Sequence, residues 1–133
     1  MHGELRNLLC SKCGFVSEMM SQEHLSKSEY VACQDCGNTL RPDIVWFGEM
    51  PYHMSEIYSK IEQTDLMLVV GTSGHVYPAA SLLPMAEMIG AYTVGVNYDA
   101  PENVVHFSEF HRGKSGELLP ELVESWLANW GLE

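Results

Sequence analysis

The sequence predicts an α/β fold, a parallel sheet with helices beside a small four-cysteine metal module, and three observations lead there. Cys10-Ser11-Lys12-Cys13 and Cys33-Gln34-Asp35-Cys36 are two C-x2-C pairs that use all four cysteines of the 133-residue chain. Leu66-Met67-Leu68-Val69-Val70 is an unbroken apolar run, the pattern of a strand buried on both faces of a parallel sheet. Ala91-Tyr92-Thr93-Val94-Gly95-Val96 repeats that pattern after an intervening helix, so strand, helix and strand form a right-handed parallel unit.

Hydrophobic content of 46% describes a chain that folds rather than one that stays disordered. The formal net charge of −11 repels phosphate backbones, so nucleic acid is not an expected partner, while basic protein segments would be attracted. The same acidity also serves plain solubility. No apolar run approaches a membrane span, and Arg6 and Cys10 sit where an export signal would need an apolar core. A cytoplasmic protein without a membrane partner is expected.

Taken in order, the metal module comes first. Gly14 and Gly37 follow the two cysteine pairs, giving each the C-x-x-C-G shape of a zinc knuckle. Two thiolates from one turn bind one face of a tetrahedral ion, and soft sulfur ligands select Zn²⁺ with iron as competitor. Two disulfides or a redox dithiol are the other readings of four cysteines. A reducing compartment opposes the first and the doubled motif opposes the second. Cys10, Cys13, Cys33 and Cys36 are therefore assigned to one structural zinc ion. Phe15 to Ala32 reads as a loop or short hairpin held by that metal, with His24 a surface residue. The module is placed at residues 1–40 and the remaining fold at 41–133.

Ile44 to Phe47 is β-branched and aromatic, which predicts a strand stopped by Gly48. Its free edge could pair with an extended peptide, or it could be an ordinary core strand. From Tyr52 to Thr64, Met54, Ile57, Tyr58 and Ile61 form one apolar helix face opposite Glu56, Lys60 and Glu62.

After Val70, Gly71-Thr72-Ser73-Gly74 lets a ligand approach the backbone, and Pro78 suits the first position of a helix running through Met88, with Pro84 predicting a kink. Strand, glycine turn and helix start in that order suit a phosphate, although many α/β proteins end a strand in glycine without a nucleotide. Gly90 ends that helix. Asn97-Tyr98-Asp99 follows the second strand at the end where such folds hold ligands, and Asn and Asp also favour plain turns. Val104 to Phe107 predicts a short final strand. Glu117 to Trp130 closes the chain as an amphipathic helix on Leu118, Leu122, Trp126 and Trp130.

Together the four-cysteine module, LRPDIVWFGEMP, VVGTSGHVYPAA, GVNYD and GKSGELLP resemble the sirtuin family of NAD-dependent protein-lysine deacylases, in that family's order and spacing. The resemblance covers essentially the whole chain, and the WFGEMP form resembles the bacterial and mitochondrial branch that includes desuccinylases. It implies the C-terminal part of a Rossmann-like NAD-binding domain, hence an incomplete sheet. It further implies that Val45, Trp46, Phe47, Gly48 and Glu49 bind the acyl-lysine peptide. For NAD it implies Gly71, Thr72 and Ser73, with Asn97 and its neighbours Tyr98 and Asp99, and Ser115 near the adenine.

The family's glycine-rich phosphate loop, Gln-Asn-x-Asp segment and catalytic histidine have no counterpart in these residues. His2-Gly3 resembles the His-Gly just before the first cysteine pair, downstream of that histidine, and no other histidine matches it. No catalytic residue is therefore assigned. The Tyr and Arg that recognise acidic acyl groups in relatives would lie upstream of residue 1, so acyl preference is not legible. Three expectations follow: a sirtuin C-terminal portion inactive alone, one chain of a split enzyme whose partner supplies the missing half, or a non-catalytic zinc-stapled peptide-binding module. An unpaired sheet edge is expected where earlier strands would lie.

Overall fold

The computed structural model describes residues 1–17 and 30–130. Two compact units are present, Met1–Met54 and Ser55–Glu133. The sequence placed a boundary after residue 40; the first unit runs on to Met54 because residues beyond 40 pair back into its sheet.

The first unit is an antiparallel sheet of β1 (Gly3–Leu9), β2 (Val16–Ser17) and β3 (Arg41–Ile44), in the order β2-β1-β3. Leu8, Cys10, Cys33 and Leu40 form its buried cluster, with Phe15 and Val31 packed against them. Two of the four buried residues are thus thiols, and the apolar core is small. The predicted strand at Ile44–Phe47 is corrected: the strand is Arg41–Ile44, three residues earlier. Because β3 is an edge strand of the described sheet, Pro42 can sit in it without breaking a ladder. Val45 still donates its N–H to the His2 carbonyl at 2.9 Å, but the chain then turns. Gly48 has φ +89°, which a side-chain-bearing residue resists, and Glu49 N–H closes the turn on the Trp46 carbonyl at 3.0 Å. The expected hairpin between the cysteine pairs, with His24, falls largely outside the described residues.

The second unit holds a parallel sheet of β4 (Leu66–Val70), β5 (Tyr92–Asn97) and β6 (Glu109–Arg112), in the order β4-β5-β6. α1 (Met54–Ile61) leads into it, α2 (Ala79–Met88) joins β4 to β5, and α3 (Ser115–Trp130) follows β6. β4 and β5 run in register from Leu66 opposite Tyr92 to Val70 opposite Val96, as the apolar runs predict. Ile61, Ala86 and Ala91 are buried with Ile57, Met67, Leu82 and Met85 around them, so the apolar face of α1 does pack. Leu118, Leu122 and Trp126 are half-buried along α3.

Central β5 carries the densest packing. Thr93, Val94 and Val96 are fully buried. The Thr93 hydroxyl donates to the His106 carbonyl at 2.8 Å and accepts the Ser108 N–H at 2.9 Å, which satisfies the buried polar group. Gly95 exists for space: a Cβ there would lie 2.8–2.9 Å from the rings of Phe110 and Phe107.

Two expectations change here. The segment Val104–His106 is a 3-10 turn, and the last strand is β6 instead. The turn forms because Val104 and His106 N–H bond to Pro101 and Asn103 carbonyls, which draws Phe107 in beside Phe110 and Gly95. β4 was expected to be covered on both faces, yet Leu68 and Val70 remain 39% and 38% exposed on one of them. It is the outer strand of the described sheet.

Candidate functional site

The four cysteines converge. Cys10 and Cys36 sulfurs lie 3.5 Å apart, those of Cys13 and Cys33 3.6 Å, and all four are within 4.8 Å of one another. Tetrahedral zinc at an ordinary thiolate distance spaces its sulfurs by about 3.8 Å, so the donor set fits one zinc ion and closes its shell. None of the four is in a disulfide. Each knuckle is built the same way. Gly14 N–H bonds the Cys10 carbonyl and Gly37 N–H the Cys33 carbonyl, both at 2.9 Å, with the two glycines at φ +78° and +71°. Backbone N–H groups of Cys13 and Lys12 bring the Cys10 thiol down to about 6. Burial and the neighbouring sulfurs push Cys13 up to about 12 and Cys36 upward, so without a cation the crowded sulfurs do not all ionise together.

Beyond the knuckles, the predicted substrate segment forms the turn described above. Trp46, Phe47 and Met50 expose 56%, 97% and 76% of their surface, an apolar tip on the first unit. Phe47 and Gly48 make no backbone hydrogen bond among the described residues, so their main-chain groups are available to an extended peptide. Val45 is half-buried behind them. Glu49 does not point outward as a free acid. Its carboxylate accepts the Trp46 N–H at 3.0 Å and two bonds from Arg41 at 2.7 and 3.0 Å, and the Trp46 N–H foremost lowers its pKa. Arg41 was not singled out from sequence; only the Arg-Pro before a strand marked it.

Tyr52 fixes the far end of this segment by donating its hydroxyl to Asp43 at 2.6 Å, and that bond raises the phenol pKa. A group whose folded pKa is raised contributes stability below its unfolded value, about 10, and loses that contribution as pH rises through the folded value. We therefore expect the first unit to weaken on the alkaline side. Tyr52→Phe should cost about 1.5–3 kcal/mol at neutral pH, as for a hydrogen bond to a charged group, and should flatten that alkaline limb. Denaturant melts at pH 7 and pH 11 check both points; equal alkaline losses with and without the hydroxyl would sink the assignment.

In the second unit a cavity of about 270 Å³ opens where β4 and β5 end and α3 begins. Gly71, Val96, Asn97, Tyr98, Gly113, Lys114, Ser115 and Gly116 line it. Three stretches chosen from sequence, after residues 70, 96 and 112, thus meet in one place. Gly71 has φ +65° and donates its N–H to the Val96 carbonyl at 3.1 Å. Asn97 links the loops: its amide nitrogen donates to the Thr72 carbonyl at 2.7 Å and to the Asp99 carbonyl at 2.8 Å. Its side-chain oxygen accepts no hydrogen bond among the described residues.

Thr72, Ser73 and Asp99 do not line the cavity. The Thr72 hydroxyl instead accepts the Gly74 N–H at 3.2 Å, and Asp99 pairs with Arg112 at 3.1 Å. Lys114 and Gly116 join the lining and were missed, although the GKSG motif contained the signal. Ser115 and Gly116 open α3 ahead of the bonds from Glu117 and Leu118 N–H to the Lys114 carbonyl, and N–H groups at such a helix start favour negative or acceptor atoms.

None of the described histidines lines this cavity. His75 pairs with Glu102 at 2.8 Å, and His106 and His111 pair with Glu87 and Glu109, each at 2.6 Å. No helix among the described residues is long and apolar enough to cross a membrane.

Comparison with known proteins gives this geometry a context. The NAD-dependent protein deacylase of Yersinia pestis is 39% identical over 131 residues, which cover 98% of this chain and 46% of that protein. That of Salmonella typhi is 39% identical over 127 residues, 96% of this chain and 46% of that protein. The chain thus spans about half the length of the curated relatives it matches. A crystal structure of a Sir2 homolog–NAD complex matches with a TM-score of 0.83 at 35% identity, over 93% of this chain and 48% of that one. A Sir2–p53 peptide–NAD+ structure matches with a TM-score of 0.81 at 26% identity, over 100% of this chain and 55% of that one. The model of the Sir2 family itself matches residues 1–78, and the chain belongs to that family.

Proposed function

We propose that this chain is the C-terminal portion of an NAD-dependent protein-lysine deacylase, which removes acyl groups from lysine to give nicotinamide and an O-acyl-ADP-ribose. The observation that carries the reading is the cavity at the ends of β4 and β5, lined by Gly71, Asn97 and Ser115. Asn97 oxygen would accept from a ribose hydroxyl, while Gly71 lets the nucleotide approach the backbone. The opening N–H groups of α3 would receive acceptor atoms of the adenosine end. Bound NAD would supply the ribose carbon that takes the acyl oxygen as nicotinamide leaves.

The Val45–Glu49 segment is proposed to hold the peptide on either side of the acyl-lysine, with Val45 near the acyl amide, and the zinc to keep that segment in place. A peptide-bound Sir2 relative supports this assignment. The substrates are acylated-lysine proteins, and the WFGEMP form resembles the branch that includes desuccinylases without fixing the acyl group. Gathered free thiols suit a reducing compartment, the cytoplasm. Without the family's base the chain is proposed to bind but not to turn over.

Titration of ADP-ribose into the zinc-loaded chain tests the site. Amide resonances of Gly71, Asn97 and Gly116 should shift together and saturate. Asn97→Ala should weaken binding about tenfold or more, since it removes an acceptor and two loop bonds of about 0.5–1.5 kcal/mol each. Absence of those shifts at millimolar ADP-ribose and NAD alike would refute the nucleotide reading.

A further inference from the structure

Arg41 touches more of the first unit's candidate site than any residue assigned from sequence. Its Nε donates to the Ser11 hydroxyl at 2.9 Å, and Ser11 lies between the zinc ligands Cys10 and Cys13. One terminal nitrogen donates to the Ile44 carbonyl at 2.7 Å and to that of Pro42 at 3.4 Å. The other makes both bonds to Glu49, whose carboxylate in turn holds the Trp46 N–H. The guanidinium carbon lies 5.8 Å from the Trp46 ring centre, within range of a cation–π contact.

A surface ion pair alone is worth little. Here the Arg41 side chain is 23% exposed, and one planar fork serves a knuckle hydroxyl, the end of β3 and the turn at once. Lysine cannot replace that geometry, because its ammonium is a point charge without a fork.

We infer that Arg41 is a positioning residue that ties the Trp46–Glu49 turn to the first zinc knuckle, so that substrate meets an ordered turn only while the knuckle is formed. Its final step rests on the reading of Val45–Glu49 as the substrate segment. The link from knuckle to turn does not. In this arrangement the zinc acts on recognition through Ser11 and Arg41, with no contact of its own to the peptide.

Amide hydrogen exchange on zinc-loaded wild type, R41Q, R41K and S11A, each confirmed at one zinc per chain, separates the two. Exchange of the Trp46 amide should quicken about tenfold in R41Q and R41K, which lose the fork to Glu49. It should quicken about threefold in S11A, which removes one exposed bond to the guanidinium and leaves that fork in place. Amides of Gly14 and Gly37, which report the knuckles themselves, should not change. S11A touches neither a zinc ligand nor the Glu49 pair, so it remains informative if R41Q fails to fold. Wild-type exchange at Trp46 in S11A would overturn the coupling. Acyl-lysine peptide affinity, measured on the same proteins, should fall in step with the loosened turn. Unchanged affinity with a loosened turn would defeat the substrate reading and leave the link between knuckle and turn standing.

Discussion

Cys33→Ser is expected to abolish zinc binding and to unfold the first unit rather than weaken it. Cys33 is 3% exposed and Cys10 fully buried, and with Leu8 and Leu40 they are the unit's buried cluster. A unit ending at Met54 is below the size at which an apolar core alone supplies more than about 3–5 kcal/mol. Structural zinc in small folds contributes on the order of 10 kcal/mol, so its loss exceeds what the remaining contacts can offset. The same residue serves as metal ligand and as core, and serine fails at both. Metal analysis should fall from one zinc per chain to none, and amides of Gly3–Leu9 should lose protection. Amides of the buried β5, in the other unit, should keep theirs. A Cys33→Ser chain that still holds zinc with β1 protected would mean that the metal is not what holds this unit together.

The second expectation concerns turnover. Nicotinamide release from NAD with an acyl-lysine peptide should be absent from the zinc-loaded chain. It should appear when the upstream half of a Sir2 relative is restored. A positioned general base alone contributes about 10²–10⁴-fold in rate, and the pyrophosphate loop adds binding to that, so the difference should be at least this large. The geometry gives a reason why no local histidine substitutes. None of His75, His106 and His111 borders the cavity where the nucleotide would sit. Turnover by the chain alone would overturn this account, and His75, nearest in sequence to the glycine turn, would be the first residue to mutate.

Sequence legibility follows how far each signal reaches along the chain. β4, α2 and β5 were readable because an apolar run, a glycine turn and a proline-led helix are local patterns, and the structure forms them within a residue or so. The cysteine cluster was readable because C-x2-C spacing encodes half of a tetrahedron by itself. β3 was not, since its four residues are Arg, Pro, Asp and Ile, and only pairing with β1 makes them a strand. Val104-Val105 misled in the opposite sense: β-branched residues entered a 3-10 turn because docking of Phe107 and Phe110 on Gly95 set the path of the chain. At the cavity, sequence named the three loops that meet, but could not tell which side chains face inward. Thr72 and Asp99 spend their polar groups on neighbours, and Lys114 with Gly116 fills in the lining. Arg41 could not be found from sequence because each of its bonds becomes visible only after folding.

The outer strand β4 has a kinetic consequence. Its far edge and its Leu68–Val70 face carry no partner strand among the described residues. If separate chains complete this sheet, assembly is a bimolecular event, with association rate constants for proteins typically of roughly 10⁵–10⁷ M⁻¹s⁻¹. Activity in a mixture of two halves would then rise after a lag that lengthens on dilution, whereas a single covalent chain would show a specific activity independent of concentration. A dilution series therefore separates a two-chain enzyme from a continuous one without any knowledge of the substrate.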